Sequence, residues 1–430
     1  MKKEHKTRKS MADQICLITT ALLILLACAD IVRFAVLGDK TVFITFWLIA
    51  IVFILLSYTA WKSRMPFLYL LIAVAAFVLY FNTNFSTSTY YFNWLFLGEA
   101  IVAALGGILG TVAMLWKKIP VGRAAVFPLV MSVLILVEFL GFWKLRYEAA
   151  YNAQGQARDE LWAVPAKYDE EEPKQAGTVE EIVYDTKAYA TDERIVKKTA
   201  YVYLPYGYSK DKQYNILYLM HGTGDDEKYW LKTNPYNKTM LDNMIADRDI
   251  EPLIVVTPTF YVEDDCADDL DQLTYSFAKE LRNDLMPEIE SSYSTYAKSA
   301  DDEGFSQSRD HRAFAGLSRG AVTMYHSALC KSLDYFSWFG AFSGSRTDKT
   351  AFEDTIQTGG FAELPIHYLY VASGPFDFAL PGQVQDYQAL LDIEPRLRSG
   401  VTACFDVFPM RYHSMGNWHL ALYNFLQKIL

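Results

Sequence analysis

Apolar and polar positions divide this chain of 430 residues near residue 146. Before that point apolar residues come in unbroken blocks. After it they come in short runs separated by polar turns. Five blocks stand out, at 15–37, 41–61, 65–81, 92–116 and 124–143. Crossing a bilayer as a helix takes ~20 apolar residues, and most of these blocks have that length. They predict about five transmembrane helices in a membrane region, 1–146. A cleavable signal peptide is the alternative for the first block, but four more follow and no small-residue cleavage site is evident.

The pattern beyond residue 146 is that of a folded α/β domain. Residues 147–177 are polar, with the acidic run Asp169, Glu170, Glu171 and Glu172 between Pro165 and Pro173, and read as a solvated stalk. From 178 to 430, runs of β-forming residues alternate with helical periodicity. Strands are expected at 178–185, 195–204, 214–220, 252–257, 338–342, 366–372 and 401–408, with one more leading into Ser318. Helices are expected at 236–247, 270–293, 321–331 and 418–430. In the second of these helices Phe277, Leu281, Leu285 and Ile289 recur every four residues. The stretch 294–311 reads as polar loop. Such alternation implies a mostly parallel sheet covered on both faces, with functional residues at the carboxyl ends of its strands.

Charge follows the same division. Residues 1–146 hold 14 Lys and Arg against 6 Asp and Glu, a net of +8; residues 147–430 hold 26 against 44, a net of −18. The acidic domain argues against nucleic acid as a partner. Lys2, Lys3, Lys6, Arg8 and Lys9 precede the first block, Lys62 and Arg64 follow the second, and Lys117, Lys118 and Arg123 follow the fourth. The other side has only Lys40, Lys144 and Arg146. The positive-inside rule therefore puts the N-terminus in the cytoplasm and, after five crossings, the acidic domain outside the cell membrane. Asp30, Arg33, Glu99 and Glu138 lie within apolar blocks, where an ion pair or a snorkelling side chain is the simplest reading. Five cysteines with no Cys-x-x-Cys spacing indicate neither a disulfide framework nor a cysteine metal site.

One short pattern carries chemistry. A small-residue strand runs into Gly316-Leu317-Ser318-Arg319-Gly320, and helix-like sequence follows at once. This is the form of a nucleophile elbow, a strand-to-helix turn that exposes a serine. A serine hydroxyl needs a histidine base and a carboxylate that holds the histidine in one tautomer. In an α/β-hydrolase the chain order is serine, acid, histidine. His221 and His311 precede the serine, His326 lies in the helix after it, and His367 falls within an expected strand. Two histidines remain. His413 sits in the loop after the last strand and is the expected base; His419 opens the closing helix, where a structural role is simpler. Asp377 follows the strand at 366–372 and is the expected acid, ahead of Asp386, Asp392 and Asp406. Oxyanion donors are expected from the backbone of Arg319 and from the loop His221-Gly222-Thr223-Gly224, at Thr223 or Gly224. His221, Tyr229, Trp230 and Phe376 are candidate substrate-binding residues.

These residues, with the runs Val202-Tyr203-Leu204-Pro205-Tyr206-Gly207-Tyr208, Tyr214 to Gly222 and Pro252 to Thr259, resemble carbohydrate esterase family 1. That family holds the feruloyl and acetylxylan esterases related to esterase D. The resemblance covers 178–430 and none of the membrane region. It implies an α/β-hydrolase fold, no metal or other cofactor, an acyl-serine intermediate, and the roles of nucleophile, acid and base at Ser318, Asp377 and His413. One departure stands out: the family's usual residue after the serine is methionine, and here it is Arg319. The expectation is an outward-facing, membrane-anchored serine esterase acting on esters of sugars or cell-envelope or plant polysaccharides. An acyltransferase with the same triad is the alternative, and a non-catalytic surface binding module is a third reading.

Overall fold

An unbroken apolar block can satisfy its backbone polar groups without water only as a helix, and the described residues of the first third of the chain take that course. The computed structural model describes residues 11–36, 40–83, 94–117, 163–169, 171–262, 269–346, 361–374, 377–408 and 411–429. The chain divides into two units, Met1–Tyr147 and Glu148–Leu430.

The first unit contains α1 (Met11–Val36), α2 (Lys40–Ser63), α3 (Phe67–Thr83) and α4 (Trp94–Lys117). Leu23, Phe53, Tyr69, Ile72 and Ala76 form its core, and Thr20 reaches the Tyr69 hydroxyl at 2.7 Å. Asp30 and Glu99 are buried among the helices, while the Arg33 side chain and Glu138 lie outside the described residues. Two stretches are long and apolar enough to cross a membrane, Met11–Val32 and Leu95–Ala113; Trp47–Ser63 and Phe67–Phe77 are apolar but shorter. The expectation of five spanning helices is thus cut to two among the described residues. The 17 residues of α3 rise only about 26 Å, short of the ~30 Å hydrocarbon core. The fifth block, 124–143, lies outside the described residues.

The second unit is built on an eight-stranded sheet in the order β1-β2-β4-β3-β5-β6-β7-β8. The strands are β1 (Thr178–Lys187), β2 (Ile195–Leu204), β3 (Asn215–Met220), β4 (Leu253–Thr257), β5 (Arg312–Leu317), β6 (Trp338–Phe342), β7 (Tyr368–Ser373) and β8 (Ala403–Val407). β1 and β2 form an antiparallel hairpin joined antiparallel to β4; from β4 to β8 all neighbours are parallel. The burial patterns follow from this. β4, β5 and β8 are buried at every position, as parallel strands covered on both faces must be, whereas edge strand β1 keeps most of its residues exposed or half-buried. Leu217, Val255, Ala315, Phe342, Tyr370 and Phe425 belong to one continuous core.

The helices between the strands are α5 (Ala166–Asp169), ahead of β1, then α6 (Tyr236–Ala246), α7 (Leu270–Glu280), α8 (Met286–Ser292), α9 (Asp302–Gln307), α10 (Arg319–Thr323), α11 (Leu380–Ile393) and α12 (Met415–Leu426). The single helix expected at 270–293 is present but interrupted by a π-turn at Leu281–Leu285. The loop expected at 294–311 contains α9, started by Asp301, whose side chain caps the Gly304 N–H at 2.9 Å. The stalk expected at 147–177 needs correction where it is described. Val164 and Tyr168 are buried in the core, and the Gly177 N–H donates to Asp242 at 2.8 Å. Apolar Val164 and Tyr168 interrupt the polar run and draw it onto the domain.

Candidate active site

Strand β3 has β4 on one side and β5 on the other. The connections leaving β3 and β5 therefore diverge, and a crevice opens beyond their carboxyl ends, as expected at such a switch point. Met220, the last residue of β3, is paired with Gly316 of β5. The loop 221–224 and the turn at Ser318 thus emerge side by side.

Ser318 has φ +52° and ψ −115°, a conformation that L-residues rarely adopt. Its N–H donates to Phe342 O at 2.7 Å. The flanking glycines are demanded by contact. A Cβ on Gly316 would stand 2.4 Å from the Gly320 carbonyl group, and one on Gly320 would stand 2.5 Å from His221 O. The turn closes only without those side chains, and closing it lifts the Ser318 hydroxyl clear of the sheet.

Ser373 ends β7 and Val407 ends β8, so Asp377 and His413 come from loops on the same side of the sheet. His413 Nε2 lies 3.1 Å from Ser318 Oγ, and His413 Nδ1 lies 2.9 Å from Asp377 Oδ1. Asp377 is fully buried. Its Oδ1 also accepts the Ala379 N–H at 2.9 Å, and its Oδ2 accepts from Asn417 Nδ2 at 3.3 Å. A carboxylate so placed receives Nδ1–H, leaving the Nε2 lone pair facing the serine hydroxyl. The Phe378 ring lies 4.2 Å from the imidazole and the Trp418 ring 5.0 Å from it, fixing the ring plane.

The other candidates are engaged elsewhere. His419 lies between Asn237 and Asp169, at 2.6 and 2.7 Å. Asp386 pairs with Arg346 at 2.8 Å, and Tyr370 donates to Asp406 at 2.7 Å. Asp392 is exposed on α11. His367, expected inside a strand, precedes β7 and is half-buried, 3.4 Å from Asp310.

The loop after β3 is held by the segment after β4. His221 is buried and its pKa is lowered to about 4 by burial, so the ring is neutral near pH 7. Nδ1 lies 2.8 Å from Gly222 O, which only accepts, so Nδ1 carries the proton. Nε2 then accepts from the Thr259 hydroxyl at 2.7 Å, and Thr259 Oγ1 accepts the Tyr261 N–H at 3.1 Å. In a trans peptide, N–H and C=O point in opposite directions. Holding the Gly222 carbonyl therefore directs the Thr223 N–H away from His221. The Gly224 N–H, the alternative oxyanion donor, is occupied by the Tyr261 hydroxyl at 3.0 Å. The Arg319 N–H stands at the first position of α10, where helix geometry supplies no acceptor.

Two expected substrate contacts are corrected. His221 uses both ring nitrogens within the protein, and Trp230 is fully buried with Nε1 donating to Met220 O at 3.0 Å. Both read as surface candidates because they flank a polar loop, but each is drawn inward by a backbone carbonyl. Tyr229 is half-buried and lines a cavity of about 670 Å³ together with Gly224, Asp225, Thr259 and Tyr261. Phe376 lies outside the described residues. The Arg319 guanidinium is paired with Asp271 in the first turn of α7. Asp225 is a carboxyl that sequence reading missed. A Cβ on Gly222 would lie 3.1 Å from its Oδ2 and 3.2 Å from Ser318 Cβ, placing this carboxyl beside the serine. Burial pushes its pKa up to about 7, helped by Asp226 and opposed by the Gly222 N–H and by His413. Asn417 and Tyr261 were also missed. The one available signal was position, since Tyr261 follows the carboxyl end of β4.

Residues 196–358 match the family model described as "Putative esterase". The solved feruloyl esterase module from Clostridium thermocellum, a serine-to-alanine mutant complexed with sinapinate, is 29% identical, with TM-score 0.52 over 64% of this chain and 92% of that one. The second unit is an esterase domain. By these likenesses the esterase domain is a carboxylic ester hydrolase with an α/β-hydrolase fold. Endo-1,4-beta-xylanase Y of Acetivibrio thermocellus is 42% identical over 147 residues, 34% of this chain and 13% of that protein. An endo-1,4-beta-xylanase/feruloyl esterase of Xylanibacter ruminicola is 34% identical over 153 residues, 34% of this chain and 19% of that protein. The chain thus spans less than a fifth of the length of these two relatives.

Proposed function

We propose that this chain is a membrane-anchored serine esterase that hydrolyses carboxylic esters of sugars or polysaccharides, hydroxycinnamoyl and acetyl esters among them, through an acyl-serine. The observation that carries this reading is the continuous line Ser318 Oγ, His413, Asp377, with contacts of 3.1 and 2.9 Å. His413 Nε2 takes the hydroxyl proton as Oγ attacks the ester carbonyl. The charge that develops on the carbonyl oxygen is met by the N–H groups of Thr223 and Arg319. His413 then returns the proton to the departing alcohol, leaving the acyl-serine. Water repeats the sequence: His413 takes its proton, and the collapsing intermediate recovers that proton on Oγ as the acid leaves. Asp377 holds the imidazole in the required tautomer and balances its transient positive charge.

The substrate class follows the relatives, one an endo-1,4-beta-xylanase, one an endo-1,4-beta-xylanase/feruloyl esterase, and one a solved feruloyl esterase module. Anchoring is supported by the outer surface of the first unit, where Ile18, Leu25, Leu71, Val74, Ile101 and Leu105 are each more than half exposed. The Lys and Arg residues ahead of the first apolar block favour a cytoplasmic N-terminus for this anchoring unit. The test is hydrolysis of p-nitrophenyl acetate and methyl ferulate by the full chain in detergent, with and without an acceptor alcohol. Ser318→Ala should abolish release of both acids. Equal rates in parent and variant would refute the mechanism, and ester formation with the alcohol outpacing hydrolysis would make the protein an acyltransferase.

A further inference from the structure

In ester cleavage the departing alcohol must face the group that protonates it, and in this site that group is His413 Nε2. The side chains around His413 and Ser318 therefore decide which alcohols fit. Asp225 is one of them. The point that a Gly222 Cβ would occupy lies 3.1 Å from Asp225 Oδ2 and 3.2 Å from Ser318 Cβ, and the His413 ring is close enough to act on the carboxyl by charge. Tyr229 stands on the same side. Its ring lies 6.4 Å from that of Trp418, which in turn lies 5.0 Å from the imidazole. Asp225 and Tyr229 line the cavity of about 670 Å³ together with Thr199, Thr233 and Tyr261. That volume is within the range of small-molecule sites.

The Asp225 carboxyl is half-buried and has hydrogen-bonding capacity to spare. Its two oxygens offer about four lone-pair sites, and among the described residues the Gly222 N–H is the donor that faces it. The cations nearby face other carboxylates. Lys197 pairs with Asp185 at 2.7 Å, Lys198 with Glu280 at 2.7 Å, Lys228 with Glu227 at 3.4 Å, and Arg319 with Asp271. A polar group withdrawn from water without a partner costs free energy. An alcohol that brings a hydroxyl against Asp225 is therefore favoured over one that brings a methyl group. Burial pushes the Asp225 pKa up to about 7, so near neutral pH the carboxyl meets a hydroxyl as acceptor or as donor.

Resting on the reading of this site as a serine esterase, we propose that Asp225 is a specificity-determining residue, whose carboxyl hydrogen-bonds a free hydroxyl of the departing alcohol. The substrates it selects are esters of sugars and other polyols that keep a hydroxyl next to the esterified position.

The full chain in detergent tests this with a matched pair of esters, 2-hydroxyethyl and propyl, of whichever acid, acetic or ferulic, the parent releases faster. The two alcohols are equal in length and differ by a hydroxyl in place of a methyl group. The parent's kcat/KM ratio, hydroxyethyl over propyl, should exceed the ratio of their rates with hydroxide by about three- to tenfold, the worth of one hydrogen bond. Asp225→Ala should bring that ratio back to the hydroxide value. Asp225→Asn keeps both a donor and an acceptor and should hold the ratio within about twofold of the parent. A merely structural role would lower the rates of both esters alike in Asp225→Ala and leave the ratio unchanged, and that result would overturn the proposal. A parent ratio equal to that of hydroxide would overturn it without any variant. Either failure leaves the esterase reading standing as long as Ser318→Ala abolishes hydrolysis of both esters. Activity retained in Ser318→Ala would remove that reading and this proposal with it.

Discussion

Asp377→Asn tests the acid through a feature of its surroundings. Asp377 Oδ1 is the oxygen that faces His413, and it also accepts the Ala379 backbone N–H. In the asparagine variant both of those donors call for an oxygen, so the carboxamide oxygen takes the Oδ1 place. Its NH2 then faces Asn417, which at present donates from Nδ2 to Asp377 and to Ser343 Oγ. Asn417 Oδ1 has no hydrogen-bond partner among the described residues, so the Asn417 amide can turn over and accept from the new NH2. The tautomer of His413 survives, and what is lost is the negative charge. Two unit charges about 4 Å apart at an effective dielectric near 20 attract by about 4 kcal/mol, which is about three decades of rate. Steady-state hydrolysis of p-nitrophenyl acetate should show kcat down roughly a thousandfold and KM little changed. A fall of less than about tenfold would refute the claim that the charge stabilises protonated His413. A fall well beyond about 10⁴-fold, the loss associated with the wrong tautomer, would refute the retained hydrogen-bond geometry.

Two further outcomes follow from the site. Gly316→Ala drives a Cβ to 2.4 Å from the Gly320 backbone, which cannot swing aside as a side chain would; the variant should lose about 3 kcal/mol, the upper end of the usual overpacking cost, measured by urea denaturation, and a parent-like midpoint would contradict the closeness of the elbow. Asp225 should make stability fall with pH: its folded pKa of about 7 exceeds the unfolded 3.8, so the folded state holds the extra proton between those values and loses that advantage as pH rises through about 7. Asp225→Asn should match the parent near pH 4 and exceed it at pH 8 by up to about 4 kcal/mol, less where water enters the cleft; a difference independent of pH would show that this carboxyl is not held protonated.

How much was legible depended on the range of the interaction. The elbow could be read because part of its demand is local: a side chain on Gly316 would collide with Gly320, four residues on, whereas one on Gly320 would meet the end of β3 at Met220 and His221. Asp377 and His413 could be nominated because parallel strands deliver their carboxyl ends to one edge, so a residue just past a strand is a candidate wherever its partner lies. Their contact is a separate matter, since His413 and Ser318 are 95 residues apart. The misplaced residues fail for one reason. His221 and Trp230 each have a polar atom that suits a binding wall as well as a buried carbonyl, and a linear pattern does not separate the two. The polar stretch around Tyr168 was read from composition, and burial of two apolar side chains outweighed it.

By itself the sequence determined the two-part character of the chain, the alternation that builds a parallel sheet, and a serine on a turn that only glycines permit. Each of these follows from spacing along the backbone. Only the tertiary structure decided that Gly224 gives its N–H to Tyr261, 37 residues away, that Asn417 supports Asp377, and that a carboxyl at Asp225 sits beside the serine. Such pairings arise where strand ends converge, and no local period encodes which side chains meet there.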